Sequence, residues 1–349
     1  MKVEIADRLE AVGAAAWDRL AASSRVRPPF LSWAWQRAWA RTFAADRRLE
    51  VRRVEDGEGR LVAVLALYEA APGVLQILGG ADVSDYLDLV AEQGREEDAW
   101  LALLQSRAAD PVAWDLHAVP AASPTVTALP QLARACGLAA DVAVEECCPV
   151  LTLPATWDAY LAGLSSKHRH ELGRKMRRLE REASDARVAC VRRRADVEDR
   201  LGDFLDLHRR SRVGKARFMD TRMEGFFRSV VSALSERDGV RLWFLDTASG
   251  PIASFITLEW DGTVGLYNSG FHPDHAALSP GVVLLGHLIR DAIERGKLRF
   301  DFLRGEERYK YEFEPVPEAV YQVRIGRAEP PAPFSGHPPS EPASRTPLQ

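Results

Sequence analysis

The run from Val240 to Phe271 constrains this chain most. VRLWFLD, PIASFITLEW and TVGLYNSGF are three apolar stretches separated by Ser249-Gly250 and Asp261-Gly262, dipeptides that turn a chain. A chain that reverses twice in so short a span builds antiparallel strands. The period then changes. In 279-SPGVVLLGHLIRDAIERG-296, Ser279 takes the N-cap position, Pro280 suits the first helical turn, and Gly296 closes the helix. Val282, Leu285, Leu288, Ile289, Ala292 and Ile293 form its buried stripe. LRFDFLRG follows as a further strand, with Leu298, Phe300 and Phe302 on one face and Arg299, Asp301 and Leu303 on the other.

The 349 residues suggest two domains. Residues 1 to about 45 read as helical with a break at Pro28-Pro29, and Trp33, Trp35 and Trp39 read as core. VRRVED and GRLVAVLALYEA form a hairpin about Gly57–Gly59, and GVLQILGG and DYLDLVAE are shorter strands. A helix over 97–109, the strand VAWDLHAV, a helix over about 123–136 and the strand GLAADVAVEE complete this part. CCPVLTLP then links to a helix bearing Trp157, Tyr160, Leu161 and Leu164, a basic segment, the strand RVACVRR, and helices over 196–211 and 222–236. A last strand lies near AVYQVRIG. The expected class is α/β in the mixed α+β sense, with halves at 1–150 and 151–327. The proline-rich stretch 328–349 has too few large apolar residues to fold and reads as a disordered tail.

A net charge of −4 argues against a generally basic nucleic-acid binder, and no DNA partner is expected. No segment approaches the roughly 20 apolar residues of a membrane span, and the N-terminus lacks a signal-peptide core. Cys136, Cys147, Cys148 and Cys190 have no metal-ligand spacing and read as reduced, small buried hydrophobes in a cytoplasmic protein. His168 and His170 point about 200° apart on a helix, and His272 and His275 lack a third ligand, so no metal is expected.

Three segments could carry chemistry. Between Ser165 and Glu182, seven Lys and Arg residues flank an apolar stripe of Leu161, Leu164, His168, Leu172, Met176 and Leu179, giving either a solvated face or a landing surface for an anionic ligand. The helix start at Ser279, Pro280 and Gly281 offers N–H groups and a positive dipole end to a pyrophosphate. In the charged run after LRFDFL, Asp301 or Glu306 could take a proton from a nucleophile, and Tyr309 or Lys310 could stabilise an oxyanion. The bland alternative for that run is a solvated turn.

Taken together, LSSKHRHELGRKMRRLE, LHRRSR, GLYNSGF, LSPGVVLLGHLIRDAIERG and FDFLRGEERYKYEF resemble the CelD/BioF-like branch of the GNAT acetyltransferase superfamily, as does the upstream LQILGGADVSDYLDLV. The resemblance spans roughly residues 45–327. It implies two tandem GNAT-like halves, a fold shared with the FemAB transferases that use aminoacyl-tRNA, and acyl transfer often linked to exopolysaccharide synthesis. The matching positions are Lys167 and Arg169 with Ser279, Pro280 and Gly281 for the donor. For catalysis they are Asp301, Glu306, Tyr309 and Lys310, with Gly305 in the same motif. Asn268, Arg304 and Arg174 are the candidate substrate contacts. The loop HAALSPG departs from the R/Q-x-x-G-x-G/A loop of single-domain GNAT enzymes. Acyl-CoA, acyl carrier protein and aminoacyl-tRNA therefore all stand as donors. The acceptor would be a small molecule or a glycan precursor. A FemAB-like transferase and a non-catalytic binding protein of exopolysaccharide assembly are the alternatives.

Overall fold

Lys2–Ala6, read from the sequence as part of a helical start, is a strand. In the computed structural model, which describes residues 1–107 and 112–327, it pairs antiparallel with Leu49–Glu55. Five residues are too few for a period to be read. The chain divides into two compact units, residues 1–146 with 319–327, and residues 147–318. Each is a mixed, mostly antiparallel sheet flanked by helices.

The first unit holds strands β1 (Lys2–Ala6), β2 (Leu49–Glu55), β3 (Leu61–Ala71), β4 (Val74–Ile77), β5 (Val90–Ala91) and β6 (Ala113–Pro120). The first part of β7 (Leu138–Thr152) belongs here as well. Its helices are α1 (Ala14–Ser23), α2 (Trp33–Phe43), α3 (Glu96–Ser106), α4 (Pro124–Thr127) and α5 (Leu129–Ala135). The sheet runs β1-β2-β3-β4-β6 and then the closing strand of the chain, with β5 on β3. The sequence reading left that closing strand at the end of the second half. From Ala319 onward it returns here, and Val320 to Ile325 pair antiparallel with β6. DYLDLVAE gives only the two residues of β5, because its backbone and acids are spent elsewhere. Asp88, for instance, accepts from Thr125 Oγ1 and from the Leu89 N–H. Of the tryptophans read as core, Trp35 and Trp39 are buried and Trp33 is only partly so; Trp17, Trp100 and Trp114 are also fully buried, and Trp35 Nε1 donates to Ser84 Oγ.

The second unit contains α6 (Trp157–Gly163), α7 (Ser166–Glu182), β8 (Arg187–Val191), α8 (Arg194–Ser211), α9 (Val213–Phe218) and α10 (Thr221–Ser235). After these come β9 (Val240–Thr247), β10 (Gly250–Trp260), β11 (Thr263–Phe271), α11 (Pro280–Glu294) and β12 (Arg299–Asp301). The closing strand is β13 (Val316–Arg327). The three-strand run expected from the sequence is present as β9-β10-β11, with β8 outside β9, β12 parallel to β11, and the end of β7 antiparallel to β12. The α11 stripe is buried throughout. Helix α7 buries Leu172 and Leu179 and packs Met176 on the same core, whereas His168, counted in its stripe, instead meets Glu314 at 2.7 Å. The two helices approach so closely that a Cβ on Gly286 would lie 2.7 Å from Met176 Cε. Of the cysteines, only Cys148 is fully buried, and Cys190 is exposed on β8. The tail 328–349 lies outside the described residues.

Candidate active site

Strands β11 and β12 run parallel only from Thr263/Arg299 to Gly265/Asp301. Past Asp301 the chain turns toward β7: the Phe302 N–H donates to Pro149 O and the Gly305 N–H to Cys147 O. The rest of β11 therefore loses its parallel neighbour. At the same point β11 bulges, since Ile256 faces Asn268 while Thr257 faces Leu266, leaving Tyr267 as the extra residue. Bulges re-aim side chains and end pairing beside functional sites.

A pocket opens there. Leu266, Tyr267, Asn268, Ser269 and Phe271 of β11 line one wall, Phe302, Glu307, Tyr309 and Lys310 another, and Arg212 and Lys215 a third. Lys215 is carried by α9, and Arg212 follows directly on the adjoining helix α8, which lies on β11. A Cβ on Gly270 would fall 2.6 Å from the His208 backbone nitrogen, so only glycine lets the helix sit so low. Ser211 Oγ then accepts from the Phe271 N–H at 2.8 Å, and Lys215 Nζ donates to Ser269 Oγ at 3.0 Å. The Arg212 carbonyl accepts from the Ala216 N–H, but the Arg212 guanidinium makes no hydrogen bond or ion pair within the protein among the described residues. Burial draws its pKa below the ordinary arginine value, against the pull of Glu307 and Tyr309.

The predicted residues divide. Tyr309, Lys310 and Asn268 line the pocket. Lys310 is buried, and its Nζ donates to the carbonyls of Arg304 and Gly305 at 2.9 and 2.8 Å and pairs with Glu307 Oε2 at 2.8 Å. Asn268 Oδ1 accepts from the Ser269 N–H. Asp301 is buried behind the pocket, its Oδ1 accepting from the Leu303 N–H at 2.7 Å. Arg304 is buried in the same loop. Glu306 is exposed and accepts from the Tyr311 hydroxyl. Ser279, Pro280 and Gly281 begin α11 away from the lining. Ser279 holds the N-cap position in a left-handed conformation (φ 50°), but its side chain makes no capping bond, which corrects the capping role read for it. Lys167 and Arg169 are exposed on α7, as is Arg174, which pairs with Glu171 at 2.6 Å. The sequence reading missed Arg212, Lys215 and Glu307. LHRRSR and the double acid Glu306-Glu307 were the available signals.

Residues 166–311 match the family model described as Acetyltransferase (GNAT) domain. The segment that builds the pocket is therefore of acetyltransferase type, and the protein class is an acyltransferase. No curated protein matches the chain. Solved structures share its fold over nearly all its length at low identity. FemX is 11% identical with a TM-score of 0.61, covering 93% of this chain and 97% of its own. A conserved protein of unknown function from Bacteroides thetaiotaomicron is 12% identical with a TM-score of 0.59, covering 93% and 100%. A C-terminal DUF2156 domain ascribed to a lysylphosphatidylglycerol synthetase from Agrobacterium fabrum is 11% identical with a TM-score of 0.58, covering 90% and 92%. Among the described residues, no His/Cys/Asp/Glu group could hold a metal ion, and no helix is long and apolar enough to cross a membrane.

Proposed function

We propose that this chain transfers an acyl group from acyl-CoA to an amine or hydroxyl at the pocket beside β11, as a member of the CelD/BioF-like branch. The parting of β11 from β12 at a bulge carries the reading. It leaves strand backbone beside a pocket that a phenol, a carboxylate and cations line. Backbone groups and the Tyr309 hydroxyl would stabilise the oxyanion, and Asp301, Glu306 and Lys310 would support the charge and proton movements around it. The donor pyrophosphate would sit at the start of α11 (Ser279, Pro280, Gly281), where the Gly281 and Val282 N–H groups have no intrahelical acceptor. Lys167 and Arg169 would add charge. Asn268, Arg304 and Arg174 would orient a small or glycan-precursor acceptor in the cytoplasm, in two GNAT-like halves bounded near residue 150.

Aminoacyl-tRNA is the second donor reading. It is favoured by α7, where the exposed Lys167, Arg169 and Arg177 have no ion pair among the described residues. Calorimetry with acetyl-CoA, longer acyl-CoAs, acyl carrier protein and charged tRNA separates the readings. Acyl-CoA is expected to bind, more weakly as salt rises. Tight binding of charged tRNA without CoA binding overturns the first reading for the second.

A further inference from the structure

The segment 301–307 holds three carboxylates, and only one of them faces the pocket. Asp301 is turned onto its own loop and Glu306 onto Tyr311 in solvent. Glu307 lines the pocket and is 9% exposed. Its seat is specific. Gly305 has φ +105°, and a Cβ there would lie 2.7 Å from Glu307 Oε2 and 3.3 Å from Oε1, so the backbone leaves room for this carboxylate. Lys310 Nζ holds Oε2 at 2.8 Å and is itself fixed by the Leu303, Arg304 and Gly305 carbonyls. Oε1 has no hydrogen-bond or ion-pair partner in the protein among the described residues. Arg212 shares the pocket.

We infer that Glu307 is the catalytic base of the acyl transfer, with Lys310 as its positioning residue, and that its acceptor enters as an ammonium. The inference rests on the acyl-CoA reading above. A desolvated carboxylate with one oxygen open is a charge-assisted partner for an ammonium. The proton balance separates acceptor classes. A lysine-type ammonium is a stronger acid than a water-like hydroxyl by about five powers of ten, so a given carboxylate takes its proton far more readily. A carboxylate base therefore suits an amine. In the reaction, Glu307 Oε1 takes one N–H proton from the ammonium. The freed nitrogen lone pair attacks the thioester carbonyl carbon and a C–N bond forms. The C–S bond breaks as the intermediate collapses. The second N–H proton goes to the departing thiolate, and Glu307 returns its own proton to water.

The test measures thiol release from acetyl-CoA with matched acceptors, glucosamine against glucose and ethanolamine against ethylene glycol, over pH 6–9.5. It uses wild type, Glu307→Gln, Glu307→Asp and the exposed control Arg308→Ala, with CoA binding by calorimetry and melting temperature alongside. The amines are expected to react and the hydroxyl compounds not. Glu307→Gln should lower kcat/KM about 100-fold or more at pH 7 with CoA affinity unchanged. The deficit should shrink as pH rises and the free amine accumulates. Glu307→Asp keeps the charge but shortens the reach, so it covers the case in which the glutamine variant fails to fold, and should lose kcat with KM held. Hydroxyl acceptors reacting as well as amines, or a wild-type pH profile in a folded Glu307 variant, overturns the inference. So does CoA binding without thiol release from any acceptor, which leaves the donor reading standing. Absence of CoA binding removes the donor reading and this inference together.

Discussion

Lys310 spends its ammonium on three backbone carbonyls and Glu307, at 2% exposure. A cation so enclosed braces the loop that carries Glu307 and Tyr309. Lys310→Met would leave Glu307 without its counter-ion and three carbonyls without their donor. Breaking one side of a buried pair costs about 3–5 kcal/mol. The melting temperature should fall clearly, whereas Arg308→Ala, one of the exposed residues of the same run, should stay within about 0.5 kcal/mol. Lys297 would be a poor control, because its Nζ meets the buried Glu259 at 2.7 Å beside Arg241 and Arg295. An unchanged melting temperature for Lys310→Met would remove the bracing role. The charged run after LRFDFL was visible in the sequence as a place of interest. Which of two adjacent glutamates turns inward was not, since it depends on the φ of Gly305 and on the turn over Lys310–Phe313.

Helix α11 was legible because proline, stripe and closing glycine agree along its length, and its last turn closes as expected, with the Lys297 N–H reaching Ala292 O. Helix α9 was not legible: it buries no residue, so it has no apolar period to read. The polar face of β6 also needed three dimensions. There His117 lies 2.9 Å from both Asp115 and Glu145, and Gln322 of β13 donates to Asp115 Oδ1 at 2.6 Å. Burial disfavours the imidazolium, but the hydrogen bonds it donates to Asp115 and Glu145 prevail and raise its pKa to about 9. Burial likewise opposes the Asp115 carboxylate, and His117, Gln322 and Arg324 hold it near 2. A histidine raised on folding contributes stability fully below about pH 6.5, and loses it as pH climbs through 9. A lowered aspartate contributes above about pH 3.8, and loses it as pH falls through 2. Denaturant titrations should therefore show a plateau between about pH 4 and 6.5 and a decline of order 1–3 kcal/mol toward pH 9.5. His117→Gln should flatten the alkaline decline. An identical decline in the variant would place its origin elsewhere.

For the molecule as a whole, local pattern gave most of the elements but not the route of the chain. AVYQVRIG reads as a strand, yet nothing in it says that it joins β6, some two hundred residues earlier in sequence. Long-range pairing is decided by which edge remains open, and that is settled only once the other strands are in place. Val320 and Val323 are 0% exposed and Ile325 1% exposed. A chain ending at Glu318 should lose that burial, worth about 1.5–3 kcal/mol for each side chain. Six of the nine tryptophans lie before residue 146, so intrinsic fluorescence reports mainly on the first unit. The truncated chain is expected to show its fluorescence transition at a much lower denaturant concentration. A transition at the full-length midpoint would mean that β13 adds little to that unit.

The route of β13 also sets an order of events on the ribosome. Translation proceeds at about 5–20 residues per second, and domains ordinarily complete in the order in which they emerge. Here the N-terminal sheet must wait for the strand that follows Glu318, whereas residues 147–318 are contiguous and need nothing made later. The unit synthesised second is thus free to finish first. For roughly 10–40 s the nascent chain holds β6 as an open edge, the kind of surface that other strands, or other chains, can pair with. Slow elongation through the C-terminal half would lengthen that exposure, making the yield of this protein sensitive to codon choice far downstream of the strands it affects.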